Sequence, residues 1–347
     1  MKAAILDGPG GPQAFRLAEV PVPACGQGEV LVQVMACGVG SRDIAERNGT
    51  YRRHVAFPMI IGLEIAGTVS AVGPGVRLLQ VGDHVASKAF ASCGMCRYCR
   101  SGRESSCVDR RPVRGGYGEF TALPEDALVK IPPSIAFEAA CSLGPAAGVA
   151  LNAVRDTARV TLAETVLVTG ASGGVGLPAL QLAHLCGART IAVTRSPAKS
   201  ESLRSAGADH VVVMSADGRF ADQVLGLTGD DGVDVVIDTV GSPVFWESFR
   251  SLALHGRYAV VGQVEGERVQ INLAHIFFKR AQLLGVGSVS RAQIADVAAL
   301  TAGGQLRPRI ERVFPLDEVA QAHTLVESGG VTGRVVLMAD PSRARAR

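Results

Sequence analysis

The sequence predicts an α/β protein of two domains, one β-rich and one built on a doubly wound parallel sheet. Three observations predict it. At 347 residues the chain is longer than one core usually covers, so two domains are expected, each able to bury its own apolar interior. From Thr165 onward, apolar strand-like runs alternate with helical patterns, and such alternation implies right-handed βαβ crossovers and a parallel sheet. At the first of these runs, Thr165-Val-Leu-Val-Thr-Gly170-Ala-Ser172-Gly173-Gly174-Val175-Gly176 passes from strand through a glycine-rich turn into a helical pattern.

From Lys2 to about Lys130 the text is short and β-like. Gly28 to Met35 alternates apolar and polar residues, Ile65 to Val72 follows, and Pro/Gly turns separate them. Gly73-Pro-Gly75, Val81 to Val85 and Gly115 to Phe120 read as a turn, a strand and a turn into a strand. Around Glu138 to Val154 the period becomes helical, marking a hinge helix. The second domain then runs strand 165–169, helix from about Gly174 to Cys186, strand Thr190–Thr194, helix Ala198–Ala206, and strands at Val211–Val213, Val233–Asp238, Arg257–Val261 and Gln282–Gly287. A helix near Ala292 to Thr301, the run Arg309–Phe314, a helix Leu316–Val326 and a closing strand Gly333–Met338 complete the chain. That strand is expected to return to the first domain. The division is 1–146, with a cysteine lobe at about 92–108, then 147–288, then 289–347.

Composition narrows the function. With 47% hydrophobic residues, 19% charged residues and 41 glycines, the chain reads as a compact enzyme rather than a disordered or fibrous protein. A net charge of +3 does not argue for nucleic acid, and Arg343, Arg345 and Arg347 read as a solvated tail. The N-terminal residues lack the apolar run of a leader, and no stretch reaches the roughly 18 apolar residues of a membrane span. A cytoplasmic protein acting on a small molecule is expected, with neither membrane nor nucleic-acid partner.

The glycine turn can present backbone N–H groups and the positive end of a helix dipole to a phosphate, with Gly173 allowing close approach and Gly176 close helix–strand packing. Such turns also occur as mere structure after buried strands; the surrounding alternation favours a dinucleotide. After the second strand the chain reads Val193-Thr194-Arg195-Ser196-Pro-Ala-Lys199, with no carboxylate before Glu201. An acidic residue there would accept from a ribose 2′-hydroxyl, whereas Arg195, Ser196 and Lys199 suit a 2′-phosphate, so the expected cofactor is NADPH. Gly241, Gly262 and Gly287, at the ends of later strands, allow backbone approach to the nicotinamide half, and Arg334 adds a charge near the phosphates; each also reads as a turn glycine or a surface cation.

Four of the eight cysteines are clustered as Cys93-Gly-Met-Cys96-Arg-Tyr-Cys99 with Cys107 following, while Cys25, Cys37, Cys141 and Cys186 are scattered. Four thiolates close a tetrahedral zinc shell without an open position, so one structural zinc per chain is expected. Chance thiols, paired disulfides or an iron–sulfur cluster are the alternatives. Arg97, Arg100 and Arg103 would offset the charge of a tetrathiolate.

The knuckle, the glycine turn, the Gly116-Tyr-Gly-Glu119 turn and the closing Gly333-Arg-Val-Val-Leu together resemble the medium-chain dehydrogenase/reductase superfamily, which holds the zinc alcohol dehydrogenases and the quinone oxidoreductases. The resemblance spans essentially the whole chain. It implies a GroES-like catalytic domain made from both chain ends, an inserted Rossmann domain, an active-site cleft, and a homodimer or homotetramer. The catalytic-zinc ligands of the alcohol dehydrogenases align with Gly40, Leu63 and Ala146, and Glu64 cannot hold a metal alone, so no catalytic zinc is expected. Cys37 sits three residues early. Gly38-Val39…Asp43…Arg47-x-Gly49-x-Tyr51 is instead similar to the quinone oxidoreductases, and this resemblance makes Tyr51 the candidate substrate-orienting donor or acid, with a packing tyrosine as the bland alternative. Arg42 occupies the alcohol-relay position, either polarising a substrate carbonyl or carboxylate or lying as a solvated surface arginine. The expected activity is NADPH-dependent reduction of an activated C=C bond or a quinone. A metal-free carbonyl or imine reductase, an alcohol dehydrogenase, and a cofactor-binding sensor with little turnover are the rivals.

Overall fold

The computed structural model describes residues 1–51, 56–264 and 267–339, so the arginines of the C-terminal tail lie outside the described residues. Contacts divide the chain into two compact units, Met1–Gly148 with the chain from Ser288 onward, and Val149–Gly287.

In the first unit β1 (Lys2–Leu6) pairs antiparallel with β2 (Phe15–Glu19). The long β3 (Glu29–Val39) buries Val30, Val32 and Val34 on alternate positions, as a strand with one face on a core must. Helix α1 (Ser41–Asn48) follows, starting at Gly40 and ending at Gly49 with φ +80°. No helix was expected there. Then come β4 (Glu64–Val72), β5 (His84–Ser87), β6 (Phe90–Ala91), the single turn α2 (Arg97–Arg100), β7 (Arg111–Pro112), β8 (Phe120–Pro124) and β9 (Leu128–Lys130).

The hinge region is helical but irregular. After α3 (Phe137–Ala140), Leu143–Gly148 and Asn152–Thr157 form wide turns on either side of α4 (Val149–Leu151). Pro145 lacks an N–H and its ring crowds the preceding turn, so the ladder opens and Ala147 N–H reaches back five residues to Ser142 O at 2.9 Å. Gly144 is required here, since a Cβ on it would stand 2.0 Å from Ser87 O.

The second unit holds β10 (Thr165–Thr169), α5 (Gly176–Leu185), β11 (Arg189–Thr194), α6 (Ser200–Ser205), β12 (His210–Val213), α7 (Ala221–Leu227), β13 (Val233–Asp238), α8 (Phe245–Arg250), β14 (Leu252–Val260), α9 (Leu273–Lys279) and β15 (Gln282–Gly285). Its six strands are parallel in the order β12-β11-β10-β13-β14-β15. Strands β10 and β11 read as continuous apolar runs because helices cover both faces of such a sheet. Leu167, Ile191, Val236 and Tyr258 belong to its core.

The chain returns to the first unit through α10 (Arg291–Ala302), β16 (Ile310–Pro315), α11 (Val319–Glu327) and β17 (Arg334–Met338). Strand β17 pairs antiparallel with β3, giving a seven-stranded sheet along β16-β17-β3-β4-β5-β9 with β8 on β3. Among the described residues no helix is long and apolar enough to cross a membrane.

Candidate functional site

The residues expected to hold NADPH, other than Arg334, follow the C-terminal ends of the parallel strands. Strands β10 and β11 lie side by side, Val168 opposite Ala192, so the segments leaving their C-terminal ends start together. Gly170 turns with φ +58°, and the Gly173 N–H closes the turn on Gly170 O at 2.9 Å. Gly176 opens α5 where a Cβ would stand 2.2 Å from Gly170 O, so only glycine lets the helix start this close to the strand. The N–H groups of Gly174 and Val175 reach no protein acceptor among the described residues. Donors left free at a helix start suit a diphosphate.

Beside the turn, Lys199 Nζ donates to Ser172 Oγ at 3.3 Å. Arg195 is exposed at the end of β11, and Thr194 and Ser196 bond one another through the Thr194 hydroxyl. Glu201, the nearest acid, is exposed on α6. The sheet edge is organised by Asp238, which the sequence did not single out: its buried carboxylate accepts from Thr169 Oγ1 at 2.6 Å, Tyr258 Oη at 2.7 Å and the N–H groups of Val240 and Gly241. Gly241 has φ +96°, a Cβ on Gly262 would stand 2.9 Å from Thr239 O, and Gly287 O accepts from Asn152 Nδ2 at 3.2 Å.

The four clustered cysteines converge in the first unit. Their sulfurs lie within 4.8 Å of one another, with Cys96–Cys99 at 3.5 Å, Cys93–Cys107 at 3.6 Å and Cys93–Cys99 at 4.0 Å. A tetrahedron of 2.3 Å Zn–S bonds has edges of about 3.8 Å, so the donor set fits zinc. All four cysteines are free thiols rather than disulfides. Backbone N–H donors, chiefly at Cys99, push the Cys96 thiol down to about 6, and burial pushes Cys99 up to about 12. A dication at the centre would favour the thiolate at all four.

The region where the alcohol dehydrogenases hold their catalytic metal carries different chemistry. Gly40, Leu63 and Ala146 are buried and bring no donor side chain. Glu64 instead takes Arg334 Nη2 on Oε1 at 2.5 Å, both inside the first unit. This pair is where the structure places Arg334. A Cβ on Gly40 would sit 3.1 Å from Glu64 Oε1. Asp43 accepts from Gly40 N–H at 2.9 Å, while Asp43 Oδ1, Glu64 Oε2 and Arg334 Nε are buried without a partner among the described residues. Burial pushes Asp43 up to about 7 and raises Glu64 despite Arg334. Burial also raises the Cys37 thiol well above its usual range.

The two candidate catalytic residues are adjacent. The Arg42 guanidinium lies 5.3 Å from the Tyr51 ring centre and 4.9 Å from that of Phe90. At 15% side-chain exposure Arg42 is not the solvated surface arginine weighed above; its Nε and Nη2 donate to Glu46 Oε1 and its Nη1 to Ala89 O. Tyr51 is half-buried, and its N–H donates to Ala45 O at 3.0 Å.

Residues 26–133 match the alcohol dehydrogenase GroES-like domain, and residues 174–303 match the zinc-binding dehydrogenase family. An acryloyl-coenzyme A reductase of Sulfurisphaera tokodaii is 33% identical over 97% of this chain and 99% of its own length. The chain belongs to the medium-chain dehydrogenase/reductase superfamily. Within this superfamily a quinone oxidoreductase of Rattus norvegicus is 32% identical over 95% of both chains. The crystal structure of AibC superposes with TM-score 0.91 at 40% identity, covering 97% of this chain and 95% of that one. As a medium-chain dehydrogenase/reductase the chain is an oxidoreductase with a GroES-like domain and a Rossmann-like domain, a fold that implies binding of NAD(P).

Proposed function

We propose that the chain is an NADPH-dependent reductase of a C=C bond conjugated to a carbonyl, an enoyl thioester above all, working without a catalytic zinc. The observation that carries the reading is that none of the three aligned ligand positions, Gly40, Leu63 and Ala146, brings a side chain that can ligate a metal, while Glu64 is held by Arg334. Without a Lewis acid, a simple ketone leaves an alkoxide that hydrogen bonds alone must stabilise, whereas a conjugated substrate spreads the charge over an enolate. The relatives named acryloyl-coenzyme A reductase and quinone oxidoreductase both fit acceptors of this kind.

The turn Ser172, Gly173, Gly174, Val175 and Gly176 would hold the diphosphate; Thr194, Arg195, Ser196 and Lys199 the 2′-phosphate; and Gly241, Gly262 and Gly287 the backbone beside the nicotinamide half. When bound, the cofactor supplies the hydride for the β-carbon. Tyr51 then offers its hydroxyl to the substrate oxygen and, directly or through water, the proton for the α-carbon. Arg42, with two of its five N–H groups uncommitted, keeps positive charge beside that oxygen.

Reaction with an unsaturated ketone or thioester and NADPH should give the saturated product. An allylic alcohol would sink the reading, and cofactor that is bound but never oxidised would leave a binding protein in its place. Arg195→Ala should weaken NADPH about tenfold or more while NADH changes little; an equal loss on both would remove the NADPH assignment. The reading includes self-association through β15, the outer strand of the six-stranded sheet.

A further inference from the structure

Three arginines of the first unit carry more positive charge than their surroundings neutralise. Strands β6 and β7 pair Phe90 with Pro112 and Ala91 with Arg111. Because successive residues of a strand point to opposite faces, Arg110 shares the face of Phe90 and Arg111 takes the other. The guanidiniums of Arg42 and Arg110 both lie 4.9 Å from the Phe90 ring centre, so the two charges are no more than twice that distance apart. Arg114 shares the acid of Arg42: its Nη2 donates to Glu46 Oε1 at 3.1 Å, the oxygen that also takes Arg42 at 3.0 Å.

Glu46, 1% exposed, is the sole acid that pairs with these three arginines among the described residues. Asp109, next to Arg110 in the chain, is exposed and forms no ion pair among the described residues. Among the described residues, three guanidiniums against one carboxylate leave a surplus of two positive charges, two of the three lying at the half-buried Phe90 ring and the third on Glu46. Like charges held this close repel, so an arrangement that keeps them together is suited to a dianion. Arg110 spends one N–H, on Ser105 O at 3.0 Å, and so keeps four donors in a fork that matches phosphate oxygens.

We propose that Arg110 and Arg114, with Arg42 behind them, grip a phosphate group of a coenzyme A thioester substrate. The inference rests on the enoyl-thioester reading. Tyr51, Arg42, Phe90 and Arg110 are linked by steps of 5.3, 4.9 and 4.9 Å. A pantetheine arm, with its two amide units, spans on the order of 15 Å at peptide dimensions. The Arg110 guanidinium is therefore no more than about 15 Å from the Tyr51 ring, within reach of the phosphates of a thioester whose acyl group lies at Tyr51. Arg42 touches both the Tyr51 and the Phe90 rings, and Arg110 is the selective residue.

The test compares crotonyl-coenzyme A with crotonyl-pantetheine, which has the same acyl group and no phosphate, on the native enzyme and on Arg110→Ala. The native enzyme should show a KM for the coenzyme A ester at least tenfold lower. Arg110→Ala should raise that KM about tenfold, leave kcat within about twofold, and change neither the pantetheine ester nor NADPH affinity. Equal KM values for the two esters on the native enzyme, or an equal loss on both in the variant, would overturn the proposal. So would weakened NADPH binding, which would give the platform to the cofactor, or a loss seen only with acyl chains bearing a second carboxylate. If quinones are reduced and neither thioester is, the substrate reading fails first, and that outcome is distinct from all of these.

Discussion

His323 on α11 is buried between Arg47 and Tyr117, with Arg47 Nη1 3.2 Å from Nδ1 and Tyr117 Oη 2.9 Å from Nε2. The guanidinium can only donate, so Nδ1 accepts and the ring's proton sits on Nε2, facing the tyrosine oxygen. Burial, then the charge of Arg47, pushes the imidazole down to about 3, while burial pushes Asp43 up to about 7. The two act oppositely on stability. Below pH 6.5 the unfolded chain protonates His323 and the folded chain does not until about 3, so stability falls as pH falls through that window. Between about 4 and 7 the folded chain keeps a proton on Asp43 that the unfolded chain has lost, so stability falls as pH rises. Each slope approaches about 1.4 kcal/mol per pH unit where the protonation states differ by one proton. Relative to the native chain, Asp43→Asn should therefore lose stability as pH drops from 6.5 to 4, and His323→Gln should lose it as pH rises from 4 to 6.5, both read by urea unfolding. Parallel curves for native and variant chains would refute the pairing. Neither role was legible beforehand. Asp43 stood in a recognisable run, but its shift comes from burial and from the charge of Glu64, which a later strand, β4, brings beside it; His323 lies in an ordinary helical pattern.

Local elements were more legible. The cysteine lobe was readable because its ligands lie within 15 residues and Gly94 and Gly102, at φ +72° and +73°, provide the bends. Metal analysis should give about one zinc per chain, and Cys107→Ser should abolish it and lower the thermal midpoint. Two zinc ions per chain would instead restore a catalytic metal and contradict the reading of Gly40, Leu63 and Ala146. The alternating strands and the glycine turn were equally legible, since periodicity and Gly176 act over one turn. Helix α1 and the wide turns around Pro145 were not: Ser41 to Asn48 has no capping side chain at Gly40, and the opening at Pro145 is accommodated by close packing of Gly144 on Ser87, a contact with another strand.

At the scale of the molecule, β15 leaves one edge of the parallel sheet without a strand partner among the described residues, with Leu283 41% exposed on it and Phe278, on the helix before it, 70% exposed. Apolar open edges invite pairing, and a strand meeting its own copy about a twofold axis closes the edge. Leu283→Lys should shift the sedimentation coefficient toward the monomer while NADPH binding per chain persists; an unchanged assembly would place the interface elsewhere.

Strand β17 closes on β3 through Val335 opposite Val39 and Leu337 opposite Cys37, and this pairing governs the order of events during synthesis. Every strand of the inserted sheet leaves the ribosome before β17 is made, so that unit can finish folding while the chain is still tethered. The edge of β3 at Cys37 to Val39 waits for almost the whole of translation, and a transcript cut short before Arg334 would release a chain with that apolar edge permanently open.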